Sequence, residues 1–234
     1  MRSIGLKTLL GATALSLAVA TPALADGLSG TAAATTNYLF RGITQTLDKP
    51  TVQASIGYDF GNGFSASVWG SGIDFGDGKS SLETDYSATY TTSWNDFDFS
   101  VGGIYYAYHT SPSAFKYNYF EGWVGVSHDF GPFSANASVF YSPEFFGVTK
   151  AGWYASIGAG VPITDWLSAS ANYGYQTVDS PGYFITKDSY SNWNLGLTAT
   201  YKAFSLNAMY SQTDLPDTGG LQDAKFVVTL GASF

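Results

Sequence analysis

From about residue 28 to the last residue, the chain keeps alternating between apolar residues and small or polar ones. Val52, Ala54, Ile56, Tyr58 and Phe60 alternate with Gln53, Ser55, Gly57 and Asp59. Phe226, Val228, Leu230, Ala232 and Phe234 do the same near the end. A period of two puts successive side chains on opposite faces of a strand, so each run has one apolar and one polar face. Twelve such runs can be read, at 28–41, 51–60, 64–74, 82–93, 97–108, 117–130, 133–142, 151–161, 167–177, 190–201, 204–213 and 225–234. Their lengths suit tilted membrane-crossing strands, which need about 9–11 residues.

The connections alternate too. Gly61–Gly63, Trp94–Asp96, Gly131–Pro132, Pro162–Trp166 and Lys202–Ala203 are short. The segments 42–50, 75–81, 109–116, 143–150, 178–189 and 214–224 are longer. A soluble sandwich has no reason to place every short turn at one end. Phe60, Phe64, Trp94, Phe97, Phe130, Phe133, Trp166, Tyr201, Phe204 and Phe234 flank the short turns or the terminus, as an interfacial girdle would. Backbone groups in lipid must all be paired, so the strands must close on themselves. The fold class expected is all-β: a closed antiparallel transmembrane β-barrel of twelve strands, with short periplasmic turns and longer outer loops.

Composition narrows the alternatives. Charged residues make up 12% and aromatics 17%, a balance opposite to that of a disordered chain. The net charge of -8 argues against nucleic acid as a partner. Cysteine is absent, which excludes disulfides and thiolate metal sites. At the N-terminus, Arg2 and Lys7 precede an apolar run from Leu9 to Ala20, and Ala23-Leu24-Ala25 has the small-x-small form of a cleavage site. Residues 1–25 therefore read as a cleaved signal peptide and 26–234 as the outer-membrane barrel.

The segment Tyr38-Leu39-Phe40-Arg41-Gly42-Ile43-Thr44-Gln45-Thr46, followed by Pro50 and Gln53, resembles the first hairpin of the TorF family of porins. The similarity continues through Leu82-Glu83-Thr84-Asp85-Tyr86, Tyr105-Tyr106-Ala107-Tyr108, Asn118-Tyr119-Phe120-Glu121-Gly122 and Tyr141-Ser142-Pro143-Glu144-Phe145. It reaches Tyr190-Ser191-Asn192-Trp193, so it spans nearly the whole exported chain. The resemblance implies an outer-membrane barrel with a transport role in Gram-negative bacteria. It supplies no substrate.

Glu83, Asp85 and Glu121 share the parity of the polar face, and a carboxylate facing lipid is costly, so the lumen is their expected place. Closure makes the first and last strands neighbours, which would set Arg41 beside Lys225 and opposite the acids. These five are the candidate pore-lining residues. Arg41 has a second reading, in which its donors fold back onto carbonyls of the first loop. Trp69, Tyr106, Tyr108, Trp123, Phe140 and Tyr154 also have lumen parity and would narrow the interior.

Histidine chemistry would have to use His109, which stands beside Ser111 at an outer loop, or His128, read as an interfacial ring. His109 has no acidic partner nearby in sequence. No cofactor or metal is expected. The function expected is passive passage of small hydrophilic solutes with a weak preference for cations. The alternatives are a barrel enzyme hydrolysing lipid or peptide through His109, and a closed barrel that is structural or binds a partner. Further expected partners are outer-membrane lipid and lipopolysaccharide, and the barrel-assembly machinery through Phe234.

Overall fold

The computed structural model describes residues 27–182, 184–216 and 219–234. The expected signal peptide lies outside them. Twelve strands form one closed antiparallel barrel: β1 (Leu28–Thr35), β4 (Thr51–Asp59), β5 (Phe64–Gly72), β6 (Leu82–Trp94), β7 (Phe97–His109), β8 (Tyr119–Asp129), β9 (Ser134–Ser142), β10 (Gly152–Pro162), β11 (Leu167–Val178), β12 (Ser189–Tyr201), β13 (Phe204–Thr213) and β14 (Lys225–Ser233). Each pairs with its sequence neighbours, and β1 closes the wall by pairing with both β4 and β14. The remaining two strands, β2 (Leu39–Phe40) and β3 (Ile43–Thr44), form a separate small hairpin. The fold class and strand count read from the alternation are thus the observed ones.

The apolar parity faces outward. Val52, Ile56, Val68, Ile157, Leu195, Leu197, Leu206 and Leu230 are all exposed, the reverse of a soluble core and the solution a lipid solvent requires. All ten residues of the expected aromatic girdle are exposed as well. His128 belongs to that belt: its ring stacks on Phe97 at 4.2 Å, and its Nδ1 lies 2.8 Å from the Asp96 carbonyl.

Phe234 completes the seam. Its backbone N–H donates to the Gly30 carbonyl at 3.0 Å, and the Gly30 N–H returns a bond of 2.9 Å. Its ring lies on the bare Cα of Gly30, where an added Cβ would come within 2.3 Å of Phe234 Cζ. Gly30→Val should therefore lower the yield of heat-modifiable barrel on unboiled gels. Equal yield would show that the ring finds another seat without cost.

The interior has two halves. Towards the short turns it is lined by half-buried small polar residues such as Ser65, Ser87, Asn136 and Thr198. These pair across strands, as in Ser67–Ser87 at 2.7 Å and Asn172–Asn194 at 3.1 Å. Towards the long loops it is packed. Phe75, Tyr117, Phe146, Phe184 and Leu215, contributed by the long connections, bury themselves with Ile104, Tyr106, Tyr108, Tyr119, Trp123 and Phe140 of the wall.

One expectation needs correction. The run 28–41 is not one strand: the wall strand ends at Thr35, and the chain then turns into the lumen. Arg41 at φ 49° and Gly42 at φ 85° make a tight left-handed tip that no extended strand could contain. Asn37 ties the base of this hairpin, its Oδ1 accepting from the Thr44 hydroxyl at 2.7 Å and the Thr46 hydroxyl at 2.9 Å.

Candidate functional site: the luminal constriction

The hairpin carries Arg41 to the far wall. Gly42 permits this approach, because a Cβ there would lie 2.5 Å from Thr213 Cγ2. The Tyr190 hydroxyl of β12 donates to the Arg41 carbonyl at 3.2 Å and fixes the tip. The guanidinium then forks. Nη2 donates to Glu121 Oε2 on β8 at 2.6 Å, and Nη1 donates to Gln176 Oε1 on β11 at 2.6 Å. Gln176 is oriented by its own amide, which donates to the carbonyls of Trp153 (3.1 Å) and Thr177 (2.9 Å). The Tyr106 hydroxyl adds a second donor to Glu121 Oε2 at 3.0 Å.

Aromatic faces complete the surroundings. The guanidinium carbon sits 4.0 Å from the Tyr154 ring centroid, 4.7 Å from Phe40 and 5.3 Å from Phe140. Such contacts favour a cation most where water is excluded, and Arg41 is only 4% exposed. Tyr154 can lie flat because Gly174 offers no Cβ; one placed there would meet the Tyr154 hydroxyl at 2.0 Å.

The acids divide into two groups. Glu121 is paired. Glu83 and Asp85 on β6 are not: both Glu83 oxygens and Asp85 Oδ1 are buried and unpartnered among the described residues. Strand register places Ser71 and Tyr108 beside Glu83, and Trp69 and Tyr106 beside Asp85. The hydroxyls of Tyr38 and Tyr108 lie within reach of Glu83, yet neither bonds its oxygens in good geometry.

Lysine at position 225 does not join Arg41. Its ammonium pairs with Asp48 at 2.6 Å and with Asp223. The expected basic side of the lumen, Arg41 beside Lys225, is therefore replaced by one buried pair inside the lumen and one separate cluster at the loop end. The reason is the inward turn after Thr35, which takes Arg41 off the wall. Nor does Arg41 cap its own loop; its donors go to side chains of β8 and β11.

The other loop-end charges are local. Lys49 bonds Asp74 at 2.7 Å, and this contact with the Gly76 N–H holds the Asp74 carboxyl below its ordinary range. Lys79, Lys116 and Lys150 are exposed. His109 is held by Thr84, 2.7 Å from its Nε2, while the Ser111 hydroxyl meets Ser80 at 2.9 Å. The serine and histidine that the enzyme reading joined thus have different partners.

A family model described as a bacterial protein of unknown function, Gcw_chp, matches residues 19–234. The chain belongs to the Gcw_chp family. No curated protein matches its sequence. Among solved structures, this Gcw_chp barrel is similar to the NanC porin, at 10% identity over 88% of this chain and 98% of that one, with a TM-score of 0.62. It is similar to a KdgM porin in complex with disordered oligogalacturonate, at 11% identity over 88% and 99% and a TM-score of 0.60. It is also similar to the COG4313 outer-membrane channel from Pseudomonas putida F1, at 9% identity over 90% and 96% and a TM-score of 0.52. At these identities the likeness is one of fold.

Gln176, Tyr154 and Tyr190 take part in the site without having been singled out as charge partners. Of the three, parity marks Tyr154 as luminal in the sequence, but nothing there announces that an arginine from the first loop crosses to them.

Proposed function

We propose that this barrel is an outer-membrane channel for small hydrophilic solutes, with its constriction built by the Arg41 hairpin. The observation that carries the reading is the lumen itself. Its turn-end half is polar and half-buried, and it leads to charged groups near the long-loop ends of the strands, one of them carried there by a single inward hairpin. A charged ring at a narrow point is how barrels select ions. The porin folds of the similar structures and the TorF-like segment Tyr38–Thr46 support the same reading. So do the signal-like residues 1–25, which would deliver the chain to the periplasm for assembly with Phe234 as its recognition residue. The exposed Lys79, Lys116 and Lys150 fit contact with lipopolysaccharide phosphates.

The selectivity is weakly cationic. Glu83, Asp85 and Glu121 face one luminal base, Arg41, and a low-dielectric constriction focuses that imbalance. Reversal potentials of refolded protein under a KCl gradient test this. Wild type should prefer potassium, and neutralising Glu83, Asp85 and Glu121 together should shift the potential towards chloride. An unmoved potential would remove these residues from the permeation path.

A second reading, a barrel closed at its loop end, is favoured by the dry aromatic packing around Phe75. Absence of any single-channel current would decide for it.

A further inference from the structure

The lumen contains two acidic places, and the chain itself completes only one. At the first, Glu121 and its aromatic neighbours receive the Arg41 guanidinium. At the second, Glu83 and Asp85 stand on the same face of β6, two residues apart, with no ion pair reaching either among the described residues. Like charges at this spacing repel, and a buried carboxyl group either keeps its proton or takes a cationic partner.

Independent of the acids, other polar groups here also lack partners. The Tyr119 hydroxyl, on a side chain only 3% exposed, is unbonded, and so is Trp69 Nε1. Tyr119 stands opposite Tyr106 in the strand register, and Tyr106 stands opposite Asp85, which puts Tyr119 at the level of the acids. The walls are aromatic. Tyr38 meets Trp69 edge-on at 5.3 Å, and Tyr119 stacks between Tyr106 at 4.3 Å and Tyr108 at 6.4 Å. Asp85 is half-buried and lies nearer the turn end than Glu83, so the pair is approached from the polar half of the lumen.

We infer that Glu83 and Asp85, with the rings of Tyr38, Trp69, Tyr108 and Tyr119, form a binding site for a small organic cation bearing a guanidinium or primary ammonium group. This deepens the channel reading and rests on it, because it names the class of solute that the lumen would hold in passage. One carboxylate neutralises the cation, both carboxyl groups can accept its N–H donors, and the ring faces favour a diffuse charge over a compact one. A calcium ion would want six or more oxygen ligands. Among the described residues no group of three or more His, Asp or Glu side chains is arranged to hold a metal.

Calorimetric titration of the detergent-folded barrel with methylguanidinium chloride tests the inference, with methylurea as the neutral isostere. Saturable binding of methylguanidinium, at least tenfold tighter than that of methylurea, is the expected result. Glu83→Gln/Asp85→Asn should weaken it at least tenfold while remaining heat-modifiable. The isostere comparison in wild type stands even where that variant does not fold. No saturable binding, equal binding of methylurea, or equal potency of calcium chloride would overturn the site. Potassium chloride conductance is measured separately. Binding without conductance would sink the channel and leave the site, and conductance without binding would do the reverse.

Discussion

Arg41→Ala should raise the single-channel potassium chloride conductance several-fold, or turn a mostly closed barrel into a conducting one. The guanidinium is the hairpin's main hold on the far wall, through Glu121 and Gln176. Removing it deletes two short charge-assisted bonds and the contact with Tyr154. It also strands Glu121 in a dry surrounding, and breaking a buried pair in this way costs about 3–5 kcal/mol. The cheapest relief is for the hairpin to withdraw and let water reach the carboxylate. The Tyr190 bond to the backbone of residue 41 survives, but it is a single neutral bond. Arg41→Lys should fall between, since a lysine keeps the charge and loses the planar fork. A folded Arg41→Ala barrel with wild-type conductance would show that the hairpin is not the constriction.

Phe75→Ala should loosen the loop end without dissolving the wall. Phe75 is 1% exposed and comes from the β5–β6 connection. Its ring lies 5.3 Å from Tyr117, 5.5 Å from Phe146 and 5.2 Å from Phe184, so four long connections meet on one side chain. Truncating a buried phenylalanine costs about 3–5 kcal/mol, and here the loss falls on segments that the strand ladders do not hold. Limited proteolysis of the folded barrel should cut the long loops at least tenfold faster, with the heat-modifiable shift retained. Unchanged cleavage would mean that each loop is held by its own local bonds.

The wall was readable in the sequence because its physics is binary. A strand between lipid and lumen must alternate, and Val52–Phe60 or Phe226–Phe234 can do so in only one register. Glu83, Asp85 and Glu121 were placed by the same parity. Arg41 was not, because parity was extended past Thr35, where the ladder ends. The cues for a turn were present in Arg41-Gly42 and in Asn37, whose side chain ties Thr44 and Thr46. Cues of that kind mark a bend but give no direction, and whether a loop folds inward depends on partners far along the chain. Phe75, Phe146 and Phe184 were equally silent, since a lone aromatic in a loop has no period to reveal its neighbours.

The two-part lumen also bears on how an applied voltage would be felt. On the channel reading, a polar, water-filled half would conduct nearly as well as bulk solution, so little potential would fall across it. The drop would collect over the packed layer between the Arg41 pair and Phe75. A channel of this kind would be electrically thin although its strands are long enough to cross a bilayer. A cation beside Asp85 would therefore sit at the lip of a steep local gradient, not partway down a long shallow one.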